Sequence, residues 1–215
     1  ACAFENYPYA ETLLYQALSI MQTAANVGME MITLPWLGRA LLYQKKYDAA
    51  EGVLMQALRL CRENDSPRNE QEAVQLLGEL RLATGNFKEA QTFFDAALQM
   101  AKTQDGTDAV AQAVCGASAV LRVTGQASPV PTLRLLFADG AARLPFVTLQ
   151  TLLAETAACA EAGGHAASAR LLRREIACAR AASLARVVDS DWSPGLAVTR
   201  SRAAIPAAEI EAALR

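Results

Sequence analysis

Residues 37–58 and 77–98 are two copies of one pattern, set 40 positions apart without a gap. The offset lays Leu37 on Leu77, Gly38 on Gly78, Tyr47 on Phe87 and Leu54 on Phe94. It also lays Ala50 on Ala90, Ala57 on Ala97 and Leu58 on Leu98. A fixed period constrains the fold more than any other feature, because each repeat is one small unit that must bury its apolar face against a neighbour. Composition says which kind of unit. Hydrophobic residues make up 53% of the chain but aromatics only 6%, and alanine supplies much of the difference. Alanine has the highest helix propensity and lets helices pack closely. Alternating runs of β-branched residues are nearly absent, so the whole chain is expected to be helical.

The pattern resembles the tetratricopeptide repeat: Leu-Gly in a first helix, an aromatic at the turn, then Ala, a large apolar residue and Ala in a second helix. The resemblance implies an all-α, right-handed superhelix (an α-solenoid) of antiparallel helix pairs. In such a pair Gly38 and Gly78 let a neighbouring helix approach the backbone, and Tyr47 and Phe87 plug the bend. Ala50, Ala57, Ala90 and Ala97 sit where paired helices touch. The family period is about 34 residues, so a period of 40 calls for longer helices or longer turns. Ser66-Pro67 fits a turn between repeats, with Ser66 as N-cap and Pro67 in the first helical turn.

The same frame extends both ways. Tyr7, Ala10, Leu13-Leu14 and Ala17-Leu18 fall 80 positions before Phe87, Ala90, Phe93-Phe94 and Ala97-Leu98. The sequence therefore opens on a second helix, and is read as part of a longer protein or as an edge that something else covers. Forward, Val114, Val120 and Gly125 follow Val74, Leu80 and Gly85. A degenerate stretch with Pro129, Pro131 and Phe137 comes next. A fourth unit returns at Gly163-Gly164-His165, Leu171-Leu172 and Ile176. The array is expected over residues 1–187, its first repeat incomplete, with a tail over 188–215 that holds the turn cluster around Trp192 and a short last helix.

Several chemistries are excluded. With 20 Lys+Arg against 22 Asp+Glu the net charge is −2, without the basic excess of a direct nucleic-acid or anionic-membrane surface. No apolar stretch approaches the ~20 residues that span a bilayer. Cys2, Cys61, Cys115, Cys159 and Cys178 are odd in number and never spaced as a metal knuckle. They read as small packing residues in a reducing compartment, hence a cytoplasmic setting. There is no phosphate loop, nucleophile elbow or zinc-helix motif. No catalytic, cofactor-binding or metal-binding residue is expected. His165 stands where Tyr47 and Phe87 stand and is assigned to turn packing. Glu70 and Glu72 are expected to be solvated, as are the arginines at 170, 173, 174, 180 and 186.

The resemblance also implies where a ligand lies, since first helices of successive repeats line the family's concave groove. The positions carried over are Arg39, Leu42 and Tyr43, then Gln75, Glu79 and Leu82, then Arg122. Arg39, Glu79 and Arg122 are placed about one per repeat, either alternating in charge toward a ligand or pairing with one another. Pro35 and Arg39 stand where the carboxylate-clamping members carry Lys and Asn, which argues against that activity. The expected function is a protein- or peptide-binding scaffold or regulatory module. The alternatives are a ligand-sensing region of a bacterial transcriptional regulator, taking a small-molecule effector, and a self-associating scaffold. A homodimer of that last kind would bury Leu13, Leu14 and Leu18.

Overall fold

A computed structural model describes residues 6–126, 133, 144–164, 166–167, 169–174 and 176–177. The chain divides into two compact units, Ala1–Thr124 and Gly125–Arg215. The described residues of the first form α1 (Tyr7–Thr23), α2 (Val27–Tyr43), α3 (Tyr47–Glu63), α4 (Pro67–Ala83), α5 (Phe87–Thr103) and α6 (Thr107–Thr124). No strand occurs among the described residues.

These helices begin at residues 7, 27, 47, 67, 87 and 107, so the repeat of 40 is two steps of 20. Helices α1 to α5 are each 17 residues long. Only three residues separate successive helices, so the long period comes from long helices rather than long turns. Each short turn reverses the chain and sets neighbours antiparallel.

The turns share one backbone device. The second turn residue has positive φ each time: Ala25 (51°), Lys45 (61°), Asp65 (53°), Gly85 (80°) and Asp105 (50°). This left-handed residue ends the helix and lets the next N–H reach back to an orphan carbonyl. The Lys46 N–H donates to Leu41 O at 3.0 Å, and the Asn86 N–H donates to Arg81 O at 2.8 Å. The residue that closes one helix then opens the next, because the Ala50 N–H donates to Lys46 O and the Ala90 N–H to Asn86 O. Ser66 holds the expected N-cap position and Pro67 follows at the first helical residue. The Ser66 side chain makes no capping bond; its Oγ accepts from Asn69 Nδ2 at 3.0 Å instead.

The core follows the repeat frame. Ala50, Ala57, Ala90 and Ala97 are fully buried, as are Leu54 and Phe94. Tyr47 and Phe87 are partly buried against the core at their bends. A methyl group added to Gly38 would lie 2.6 Å from Leu54 Cγ, and one added to Gly78 would lie 2.7 Å from Phe94 Cε1. Phe94 is pinched a second time by Gly116 of α6, where an added methyl would lie 2.6 Å from Cζ. That third close approach is absent from the sequence reading, since Ser118, not Gly116, is 40 residues past Gly78. Leu18, expected to be exposed, is buried beneath α2 and α3. Leu13 is open to solvent as expected and Leu14 only partly so.

Successive first helices touch, α2 on α4 and α4 on α6, while α1, α3 and α5 meet each other far less. The inner, crowded side of the array is therefore made by α2, α4 and α6.

In the second unit α7 (Phe146–Ala162) leads through Gly163 and Gly164 into further helical positions between 166 and 177. Leu153, Ala157 and Ala160 pack there on Ala169, Leu172 and Ile176. A helix pair stands where the fourth unit is expected, with Leu171 turned out to solvent. Pro129, Pro131, Phe137, His165, Arg180, Arg186, Cys2, Cys178 and the expected boundary at 187/188 lie outside the described residues.

Candidate functional site

Along α2 runs a partly exposed stripe at helical spacing, Met29, Ile32, Trp36, Arg39 and Tyr43, whose last ring also packs against Tyr7 of α1 at 5.0 Å between ring centres. Met29, Ile32, Trp36 and Tyr43 are 41%, 44%, 40% and 51% exposed. Two charged residues, Glu30 and Arg39, occur in the whole helix, so its apolar residues outnumber what the core can cover. Leu34, Leu37, Ala40, Leu41 and Leu42 take the core, while Met29, Ile32, Trp36 and Tyr43 face solvent.

Arg39 joins this stripe to α4. Its guanidinium lies 5.2 Å from the Trp36 ring centre and its Nη2 donates to Glu72 Oε1 at 3.2 Å. Side chains that stack and pair at once are held in one orientation. The hydroxyl of Tyr43 donates to Glu79 Oε2 at 3.4 Å, and Gln75 Nε2 donates to Glu79 Oε1 and to the backbone carbonyl of Gln112. Two polar atoms beneath the face, Arg39 Nε and Gln75 Oε1, are buried without a hydrogen-bond partner among the described residues.

The electrostatics follow from this crowding. Burial, opposed by Arg39, raises the Glu72 carboxyl above its ordinary range, and the Glu79 and Asp108 charges push the same way. The nearby Glu79 charge, followed by burial, raises the Tyr43 phenol. The inner face thus carries aromatic side chains beside more carboxylates than guanidinium groups.

Of the residues carried over from the repeat, Arg39, Tyr43 and Glu79 come together here. Leu42 does not line the face: it is 5% exposed and belongs to the core with Leu41 and Leu58. Gln75 is 2% exposed and supports Glu79 from below. Leu82 is half-buried and packs against Ala90, Phe94 and Val120. Arg122 is out of register with Arg39 and Glu79, because α6 starts at Thr107 and the strict step places Ala119 there. Arg39 pairs with Glu72 rather than Glu79, since the long side chain reaches diagonally across to the next helix. Nor are the other carboxylates and arginines simply solvated: Glu70 pairs with Arg62 at 2.7 Å, and Arg173 pairs with Glu161. Arg170 and Arg174 are exposed. Trp36 and Ile32 escaped the sequence reading. Their signal was the spacing of 7 and 11 residues back from Tyr43.

Among the described residues no helix is long and apolar enough to cross a membrane, and no group of three His, Cys, Asp or Glu is placed to hold a metal.

Residues 29–103 match the family profile described as tetratricopeptide repeat. This segment is a tetratricopeptide-repeat array. Two solved structures of nearly identical TPR-like repeats ascribed to a kinesin light chain of Podosopora anserina share the fold. The first, a variant form, has a TM-score of 0.55 at 18% identity, covering 85% of this chain and 90% of that one. The second has a TM-score of 0.53 at 17% identity, covering 86% and 90%. No curated protein matches. Tetratricopeptide repeats are in general scaffolds for contact between proteins, not catalytic folds.

Proposed function

We propose that this tetratricopeptide array is a binding module that holds a segment of a partner protein on the inner face formed by α2, α4 and α6. The observation that carries the reading is the exposed stripe Ile32, Trp36 and Tyr43 beside Glu72 and Glu79. Exposed aromatic residues at the centre of a polar surface are the usual anchors of protein interfaces. The segment that suits this face has an apolar or aromatic anchor for α2 and a basic side chain for the carboxylates of α4. Its main chain would offer partners to Arg39 Nε and Gln75 Oε1. A regulatory role, or a sensor that takes a small molecule on the same face, would use the same residues.

The test is a selection from a displayed peptide library, with enriched peptides measured against wild type, Trp36→Ala and Glu79→Lys, each checked for native helicity. Loss of affinity by tenfold or more (about 1.4 kcal/mol or above) in both variants is expected. Enriched peptides that bind the variants as well as wild type would remove the inner face from consideration. Failure to enrich any peptide, together with saturable binding of a small effector, would favour the sensor.

A second reading, self-association, rests on α1. Its sequence holds one charged residue, Glu11, which is engaged by Lys46 at 2.7 Å. Leu13 and Ile20 are 42% and 70% exposed. An uncharged helix face can meet its own copy about a two-fold axis without like charges facing each other. Sedimentation of wild type against Leu13→Glu/Ile20→Glu decides it: a concentration-dependent dimer lost in the variant supports the reading, and a monomer in both ends it.

A further inference from the structure

The outer side of the array is not uniform. Between α1 and α3 a cleft of about 300 Å³ opens, with Leu18, Leu34, Leu37 and Val53 forming its apolar part. Tyr15, Ser19, Gln22 and Gln56 complete its lining, and no charged side chain contributes.

The repeat itself shows what fits there. One period later, between α3 and α5, the corresponding floor is Leu58, Val74 and Leu77, again buried. Val53 is replaced in register by Phe93, and that ring packs against the cluster to which Leu58, Val74 and Leu77 belong. Ser19 and Gln22 are replaced by Arg59 and Arg62. The α1–α3 cleft is therefore the same slot with Val53 in place of the Phe93 ring, Tyr15 in place of Met55 and the charged rim removed. A smaller side chain at one register position leaves apolar floor that the surroundings do not collapse to fill.

We propose that the α1–α3 cleft is a docking site for an aromatic side chain of a partner protein, presented on an uncharged segment. The ring takes the place that Phe93 takes one repeat later, over Leu34 and Leu37. Ser19, Gln22 and Gln56 offer hydrogen-bond donors and acceptors to the segment's main chain. A charged segment would have to desolvate without a partner, because no lining residue carries a charge to meet it. The cleft lies on the outer helices, so it can be occupied independently of the inner face.

The probe is N-acetyl-phenylalaninamide, titrated into isotope-labelled protein and followed by amide chemical shifts, with N-acetyl-alaninamide as control. Saturable shifts at Ser19, Gln22, Val53 and Gln56 are expected with the aromatic probe alone. Val53→Phe restores the ring from within, and Ser19→Arg restores the charged rim without touching the core. Each should weaken probe binding by about tenfold or more, and Val53→Phe should unfold at a temperature no lower than wild type. Absence of saturable shifts would overturn the proposal, as would shifts that survive both substitutions or that gather at Trp36 and Tyr43. A wild-type dimer abolished by both substitutions would also overturn it, by making a second copy the occupant.

Discussion

Four glycines lie within helices where a methyl group meets very different surroundings, and the same substitution at each should give opposite results. Gly52 is exposed in α3 with nothing within 4 Å of an added Cβ. Gly52→Ala should therefore stabilise by about 1 kcal/mol, the difference in helix propensity. Gly38, Gly78 and Gly116 gain the same propensity but lose more. At Gly78 the added methyl would stand 2.7, 2.9 and 3.2 Å from three atoms of the Phe94 ring. The ring has little room to retreat, because the same ring atoms also lie against Gly116 and the residue is fully buried. Overpacking of this kind costs about 1–3 kcal/mol, so Gly78→Ala should be net destabilising by up to about 2 kcal/mol once propensity is subtracted. Gly116→Ala, whose methyl would sit closer to the ring, should cost more than Gly78→Ala.

Urea denaturation followed by far-ultraviolet circular dichroism gives the four differences directly, provided the slopes agree. The preceding repeat supplies a rescue. Leu54 holds the place of Phe94, and Leu76, one period before Gly116, coexists with it in a fully buried core. Phe94→Leu should therefore restore much of the loss in Gly116→Ala, with a coupling of about 1 kcal/mol or more between the two sites. Equal stabilisation by alanine at all four glycines, or strict additivity of Gly116→Ala with Phe94→Leu, would refute the packing argument.

Other consequences are simpler to read. Ala25→Gly relieves a left-handed residue with φ of 51° and should stabilise by about 1 kcal/mol in the same denaturation assay. Burial raises the Glu72 carboxyl, so the folded state holds its proton at pH values where the unfolded chain has released it. The Glu72 contribution to stability therefore falls as pH rises from the ordinary value of 4.5 through its higher folded value, and Glu72→Gln should gain on wild type across that window. Glu51 behaves oppositely. Its hydrogen bonds from Arg81 lower its pKa, so its stabilisation is present above 4.5 and lost as pH falls through the folded value. Glu51→Gln should lose on wild type above that range, and parallel pH profiles for the two variants would contradict both assignments. The Cys61 thiol is fully buried and, by burial and the charges of Glu70 and Glu72, pushed up to about 11. Native protein should show no reaction of Cys61 with a thiol reagent at pH 7.5 on the timescale on which urea-unfolded protein reacts fully.

Much of the architecture was legible because the repeat places the same small residue against the same large one each time. Gly38 with Leu54 and Gly78 with Phe94 are two readings of one contact, and the buried alanines follow from it. Gly116 was not legible. It answers to the size of one ring, Phe94, rather than to the repeat, and so falls two residues off the period. The inner face was only half legible for a related reason. In α4, the repeat spacing selects Gln75 and Glu79, whereas Glu72, set beside Glu70 and Gln71 near the polar start of the helix, reads as solvated. In α2 nearly every residue is apolar, and nothing local distinguishes Leu37, fully buried, from Trp36, 40% exposed. Burial of Gln75 and Leu42 was hidden as well, since it depends on how closely α4 approaches its neighbours.

The strict step of 20 also bears on how a partner would lie. It gives the inner face one set of backbone positions repeated on α2, α4 and α6, and the side chains on them change in order. Ile32, Glu72 and Gln112 occupy one such row; Arg39, Glu79 and Ala119 occupy another; Tyr43, Ala83 and Val123 a third. Along these rows the face grades from aromatic and apolar around Arg39 on α2, through Glu72 and Glu79 on α4, to the uncharged Gln112, Ala119 and Val123 on α6. A surface that repeats identically would hold an extended segment in any register and either direction. A graded one holds its apolar anchor against α2 and its basic group against α4 in one direction only. On the proposed reading, then, specificity arises from the departures from the repeat, while the residues that keep to it, the glycines and alanines between helices, set the spacing of those departures.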